Sequence, residues 1–124
     1  MKKVLVVTIA ILFTVVGTTA AFAHTVLIAS TPTKGSTVQI LPTKITLKFA
    51  DPLLTLGKRA INLVIVTDPK NKVITTGQNL VKGALLTDPI IDTKPVNGIY
   101  KVSYRVSAQD GHIVTGVFSF RLQN

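Results

Sequence analysis

The sequence contains no cysteine and no glutamate, and its single methionine is Met1. Without cysteine, neither a disulfide framework nor a thiolate metal site can form. Beyond residue 1 there is also no thioether sulfur. Any metal site in the rest of the chain must therefore use nitrogen and oxygen donors, and every side-chain carboxylate in it belongs to an aspartate.

Residues 1–23 have the three parts of a secretory signal. A pair of lysines forms the charged start, residues 4–16 form an apolar run, and small residues lead to an Ala-Phe-Ala triplet that ends at Ala23. The apolar run is shorter than the ~20 residues of a membrane span. We therefore predict a signal peptide over residues 1–23, cleaved between Ala23 and His24.

Two alternatives remain open for this segment: retention as an uncleaved anchor, and cleavage after Ala21. No cysteine follows the apolar run, which excludes a lipoprotein anchor, and no second hydrophobic span occurs. We expect residues 24–124 to form one exported domain with no stable membrane anchor. Its location would be the periplasm, the extracellular space or the cell envelope.

The chain is basic, with 14 lysines and arginines against 5 acids and a net charge of +9. Such a balance occurs in proteins that bind nucleic acid or anionic membranes. Here the lysines are scattered along the sequence, and the aromatic residues have the spacing of a core. We therefore expect a solvated surface, no nucleic-acid partner, and a monomer.

Strict alternation identifies the clearest strand, over residues 44–50. Ile45, Leu47 and Phe49 lie on one face, and two lysines and a threonine lie on the other. Asp51-Pro52 ends the strand, because proline cannot donate to the ladder. Shorter or more apolar strands are predicted over residues 24–30, 60–67, 73–76, 80–86, 100–106 and 117–122.

Turn residues separate these segments, and no helical period persists between them. Turns are predicted at residues 33–36, 68–72, 88–89 and 94–98. About seven short strands in about 100 residues predict a two-sheet antiparallel β-sandwich. The last two strands flank Asp110-Gly111-His112, so this motif is expected in or just after a hairpin connection. Loops at strand ends are where a rigid sandwich usually carries function.

The two histidines of the chain suggest a metal site. After the predicted cleavage, His24 would offer both its imidazole and its free α-amine. Asp110 and His112, two residues apart, would project to the same side and add a carboxylate and a second imidazole. The tripeptide alone is weak evidence, because Asp-Gly is common in hairpins. Together, three nitrogens and an oxygen favour Cu(II) over zinc, for which no cysteine pair or histidine cluster argues.

The remaining acids are expected in turns. Asp51 ends a strand before Pro52 and could lie near His24, but we slightly favour a role in the turn over a role as a ligand. Asp68, Asp88 and Asp92 are predicted to be turn residues. Arg105 is expected at the surface or hydrogen-bonded around the site, and not as a ligand.

An ordered set of segments resembles the CopC family of exported copper-binding proteins, over nearly all of residues 24–124. It comprises His24, Ser30-Thr31-Pro32 with Gly35, residues 41–52, residues 98–106, Asp110-Gly111-His112, and residues 116–120. The resemblance implies an Ig-like Greek-key β-sandwich. It also implies Cu(II) binding by His24, Asp110 and His112, with an acid at the position of Asp51 close to the metal in some members.

Three features depart from the family pattern. Tyr104 stands where the family usually has tryptophan, which predicts a change in packing. Ala108-Gln109 replaces the usual Ser-Ala, which predicts altered hydrogen bonds around the site. Some members carry a separate methionine-rich Cu(I) site, and residues 24–124 contain no methionine for it.

The leading functional prediction is a non-enzymatic copper carrier or buffer that serves copper tolerance or uptake, with a membrane copper transporter as a candidate partner. One alternative is a copper-dependent oxidative enzyme of the N-terminal-histidine type. Such enzymes usually need a larger domain and a flat aromatic face, which the 5 phenylalanines and 2 tyrosines do not supply. The other alternative is a β-sandwich interaction module without metal.

Overall fold

The structure is a computed structural model that describes residues 24–124. The predicted signal peptide and its cleavage site up to Ala23 therefore lie outside the described residues. The described chain is all-β and contains eight strands and no helix. They are β1 (Leu27–Thr31), β2 (Thr37–Val38), β3 (Lys44–Phe49), β4 (Leu63–Thr67), β5 (Leu80–Lys82), β6 (Leu85–Pro89), β7 (Gly98–Ser107) and β8 (Ile113–Leu122).

The strands form two four-stranded sheets. The first sheet has the order β1-β3-β6-β5, and the second has the order β2-β8-β7-β4. Most connections pass from one sheet to the other, as in Greek-key sandwiches. The predicted Ig-like β-sandwich is therefore confirmed. Residues 24–124 also include no helix of the length and apolarity that a membrane crossing requires.

Alternating side chains from both sheets fill the space between them. Ile45 and Leu47 of β3 are fully buried, as their spacing predicts. Tyr100 of β7 stacks on Phe120 of β8, with ring centroids 5.3 Å apart. The Tyr100 hydroxyl donates to the carbonyl of Val96 at 2.8 Å, so this buried phenol keeps a hydrogen-bond partner. Burial raises the pKa of Tyr100.

The structure contains eight strands, one more than the predicted seven, and some strand boundaries differ from the predicted ones. Residues 80–86 form a hairpin of two strands, because Gly83 adopts a φ of 60° between β5 and β6. The strand predicted over residues 73–76 is wrong, since Val73 and Thr75 make only isolated bridges. β2 was not predicted, and it pairs with β8 in parallel. A strand of two residues is too short for an alternating pattern of apolar and polar residues to be recognised in the sequence.

The predicted turn at Asp88-Pro89 is also wrong, because both residues belong to β6. Asp88 is fully buried, and its carboxylate accepts hydrogen bonds from the backbone N–H groups of Thr76, Gly77 and Asn79 and from the Thr76 hydroxyl. The acid thus satisfies backbone N–H groups of residues 76, 77 and 79, which lie outside the strands. A buried carboxylate is tolerated here because several donors surround it.

Candidate metal centre

The Asp-Gly-His motif forms the tip of the hairpin between β7 and β8. The last strand pair joins Ser107 to Ile113, and residues 108–112 make the connection. Ala108 N–H donates to the His112 carbonyl, and Gly111 N–H donates to the Ala108 carbonyl, both at 2.9 Å. Gly111 has a φ of 85°, a conformation that favours glycine. The loop is therefore tightly closed and holds its polar side chains at the end of the sandwich.

Within this tip, both carboxylate oxygens of Asp110 are hydrogen-bonded to His112. The backbone N–H of His112 donates to Oδ1 at 3.0 Å, and Nδ1 of its ring lies 2.7 Å from Oδ2. The His112 side chain is 65% exposed and that of Asp110 is 28% exposed. A carboxylate on one ring nitrogen orients an imidazole so that the other nitrogen faces a ligand.

The same contacts change the acidity of Asp110. Its pKa is lowered, first by the hydrogen bond from the His112 backbone N–H and then by the bond from the His112 side chain. The positive forms of His112 and His24 act in the same direction. The carboxylate is thus favoured as an anion at the place where a cation would bind.

The other histidine is positioned by the segment that leads into β1. Thr25 is buried, and its hydroxyl oxygen accepts a hydrogen bond from the backbone N–H of Asp51 at 3.2 Å. One residue further, Ala50 N–H donates to the carbonyl of Val26 at 2.8 Å. His24 is therefore fixed beside the end of β3.

A short stretch, residues 51–54, connects the two halves of the site, and we call it the bridging segment. At one end, Asp51 binds Thr25. At the other, Leu54 N–H donates to the Ser107 carbonyl at 3.0 Å, and the Gln109 amide donates to the Leu53 carbonyl at 3.1 Å. Both histidines are thus held by one piece of backbone.

As a result, the structure brings His24, Asp110 and His112 together. One ligand atom from each of them lies within 4.8 Å of the others. The two imidazole rings meet edge to face, with centroids 4.7 Å apart. All three residues are exposed at the end of the sandwich. Such a group can accept one metal ion from solvent without rearrangement of the core.

The other acids and the arginine occupy different places. Asp51 does not belong to this group of three, and its backbone serves the bridging segment. Asp68 and Asp92 accept hydrogen bonds from backbone N–H groups two residues further on, in the turns predicted for them. Arg105 is exposed on β7, opposite Thr115, so the expectation of a surface position is confirmed.

Sequence reasoning missed two residues that organise the site. Thr25 was read only as part of a strand, yet it fixes the residue beside His24. Asn62 lies within the strand predicted over residues 60–67, and no role of its own was predicted for it. Its side chain accepts from Ser107 N–H at 2.9 Å and donates to the Leu54 carbonyl at 2.8 Å. The available signal for Asn62 was a polar side chain on the inward face.

A family model described as the CopC domain matches residues 27–123. The chain belongs to the CopC family. His24 lies just outside the matched residues, and the geometry above places it beside Asp110 and His112. A comparison with curated protein sequences returned no match.

Solved CopC-family structures share the fold. The crystal structure of CopC from Methylosinus trichosporium OB3b is 26% identical, covering 81% of this chain and 94% of that protein with a TM-score of 0.63. PcoC from Escherichia coli, a methionine-rich copper resistance protein, is 22% identical, covering 81% of this chain and 99% of PcoC with a TM-score of 0.65. At that identity PcoC supports the fold alone.

Proposed function

We propose that this protein is an exported Cu(II) carrier or buffer in copper homeostasis or resistance. One Cu(II) ion is bound by the imidazole and free α-amine of His24, by His112 and by Asp110. The supporting observation is the convergence of these three side chains to within 4.8 Å at one exposed end of the sandwich. Family membership supports copper as the cargo.

The donor set favours the oxidised ion. Imidazole, amine and carboxylate suit Cu(II), which also has the highest affinity among the first-row divalent ions. Cu(I) prefers thiolate and thioether sulfur. Residues 24–124 contain neither cysteine nor methionine, whereas PcoC is described as methionine rich. A second, sulfur-based copper site is therefore not part of the proposal.

We also propose that the protein is a carrier and not an enzyme, that it acts as a monomer, and that a membrane copper transporter is its exchange partner. The exposed position of the three donors supports exchange, because a partner can reach the metal directly. Asp51 is assigned to the bridging segment and not to the metal, since its carboxylate is not among the three ligand groups that converge.

The free amine gives the sharpest test. Protein that begins at His24 is compared with protein carrying one additional alanine before His24. The extension keeps both imidazoles and Asp110 but removes the α-amine next to His24 Nδ1, so the chelate ring cannot form. We expect Cu(II) affinity to fall about a hundredfold, which corresponds to roughly 3 kcal/mol. Affinity is measured by competition with chelators at one pH.

Two variants complete the comparison. His112→Ala should weaken Cu(II) binding about as much as the extension does, and Asp110→Ala should weaken it less, because the carboxylate is already hydrogen-bonded to the His112 ring. Circular dichroism should be unchanged in all three, because the site lies outside the core. Equal affinities with and without the extra alanine would show that the amine is not a donor.

A further inference from the structure

The outer face of the second sheet carries cations and no acid. Strand pairing places Lys101, Arg105 and Arg121 outward, since the alternate residues of β7 and β8 fill the core. All three are exposed. None of β4, β7 and β8 contains an aspartate. Among residues 24–124 no ion pair joins a lysine or arginine to a carboxylate.

The acids nearest to this face do not neutralise it. Asp68 follows β4 directly, but its carboxylate accepts from the backbone N–H groups of Lys70 and Lys72 at 2.9 and 2.8 Å. Asp110 lies at the hairpin tip and is engaged by His112. The field in front of the face is therefore positive.

Branched apolar side chains lie between and beside these cations. Ile65, Ile99, Ile113 and Val117 point outward and are 41%, 44%, 47% and 63% exposed. The register aligns Ile65, Ser103 and Val117 in one row across three strands. This row separates the row that contains Lys101 from the row that contains Arg105. The face therefore combines exposed cations with exposed branched apolar side chains.

We propose that this face binds reversibly to the surface of an anionic phospholipid bilayer. Anionic headgroups attract lysine and arginine side chains that reach the surface. Exposed isoleucine and valine between them can enter the boundary between headgroups and acyl chains. No phenylalanine, tyrosine or tryptophan is exposed in residues 24–124, and base stacking on such residues is a main source of affinity for single-stranded nucleic acid. The mixture therefore fits a bilayer better than nucleic acid.

The three cations of this face come together only in the folded chain. Lys101, Arg105 and Arg121 are far apart or separated by other residues along the chain, yet two paired strands bring them to one face. Docking would also bring the metal centre near the bilayer, because His112 immediately precedes Ile113 on this face. The interaction does not require copper and is independent of the proposed function.

The test measures binding to vesicles by sedimentation, with metal-free protein that begins at His24. This form contains both sheets and their core, and it lacks the apolar run of residues 4–16, which would itself enter bilayers. The vesicles contain phosphatidylcholine and phosphatidylglycerol in equal parts, or phosphatidylcholine alone. We expect binding to the anionic vesicles only, and weaker binding at higher salt.

A matched pair of triple variants locates the binding face. Lys101→Gln, Arg105→Gln and Arg121→Gln together should weaken binding about a hundredfold, since each cation near the surface contributes about fivefold. Lys44→Gln, Lys48→Gln and Lys82→Gln remove the same charge from the outer face of the first sheet. Those side chains lie on the opposite side of the sandwich, more than a Debye length of about 8 Å away. Their loss should change binding by less than about fivefold.

A third variant isolates the apolar contribution. Ile65→Ser with Val117→Ser keeps the charge and should weaken binding about tenfold. Unchanged unfolding transitions verify that each variant is folded. Equal weakening by the two triple variants would overturn the proposal in favour of a general charge effect. So would no binding to anionic vesicles, or tighter binding to an oligonucleotide or an acidic peptide through the same three cations.

Discussion

At the scale of single residues, Asp110 and His112 form a unit that exists before any metal arrives. The carboxylate accepts from the backbone N–H of His112 and contacts Nδ1 of its ring. A preset ring orientation reduces the entropy lost when a ligand is captured. The Asp110-Gly111-His112 sequence therefore does more than provide a turn.

The pKa of Asp110 provides a test of this unit without copper. We expect it to lie below the ordinary aspartate value, with the His112 backbone N–H as the largest cause. His112→Ala removes the side-chain contact and its charge but keeps the backbone bond. The pKa should therefore rise and still remain below the ordinary value. NMR titration of the Asp110 carboxyl carbon measures both values.

The lowered pKa of Asp110 determines how its contribution to the stability of the fold changes with pH. A carboxyl group with a lowered folded-state pKa stabilises the fold at pH above its unfolded value, and the contribution is lost as pH falls through the folded value. Asp110 is exposed, so this contribution is small. No rise of the pKa in the alanine variant would show that the ring does not contact the carboxylate in solution.

The three proposed donors could be predicted from the sequence because few of residues 24–124 can bind a metal and because of where the two histidines lie. Only two histidines are present, and one lies at a predicted cleavage site. Thr25 and Asn62 could not be selected, because their roles depend on which backbone groups come near them. Such partners are set by tertiary packing, and a threonine in a strand has no distinctive pattern of its own.

At the scale of strands, the pairing of Tyr104 with Gly116 controls how β7 meets β8. Tyr104 packs edge to face on Phe49, with ring centroids 5.5 Å apart. Its ring lies directly over Gly116 on the neighbouring strand. A methyl group at position 116 would overlap the Tyr104 phenol. The aromatic residue and the glycine therefore depend on each other.

We predict that Gly116→Ala lowers the free energy of unfolding by about 2 kcal/mol, because overpacking forces the ring to move. In a Tyr104→Ala background the same substitution should be nearly neutral. A double-mutant cycle from urea unfolding measures the coupling, expected to be about 2 kcal/mol. An equal cost in both backgrounds would assign the effect to the backbone of β8 instead.

Strand prediction succeeded where one face is buried and failed where a side chain replaces a backbone partner. β3 and most of β7 alternate so regularly that period two determines their faces. Asp88 breaks the rule, because its carboxylate caps a neighbouring segment from within a strand. Aspartate before proline is typical of a turn, and local sequence does not reveal the donors that surround it.

For the whole molecule, the metal centre is separate from the core, so the fold should not require copper. We expect metal-free protein to remain folded and to unfold cooperatively. Cu(II) at about a hundred times its dissociation constant should add about 2.7 kcal/mol, which raises Tm by about 10 °C or more. Calorimetry with and without a chelator measures the difference.

His112→Ala is the matched control for this prediction. Its metal-free Tm should equal that of the original protein, because the side chain is exposed, and Cu(II) should raise it little. A metal-free protein without a cooperative transition would mean that the metal completes the fold, as in small zinc domains.

The bridging segment has a consequence for the order of events during maturation. His24 and His112 come from opposite ends of the described chain and meet only when β1 has joined β3 and β8 has joined β7. A partly folded chain has single histidines but no assembled group. Under the proposed function, copper capture would therefore report that folding is complete. Under the proposed function, a chain exported unfolded would acquire its metal in the compartment in which the two ends meet, and not in the one in which it was made.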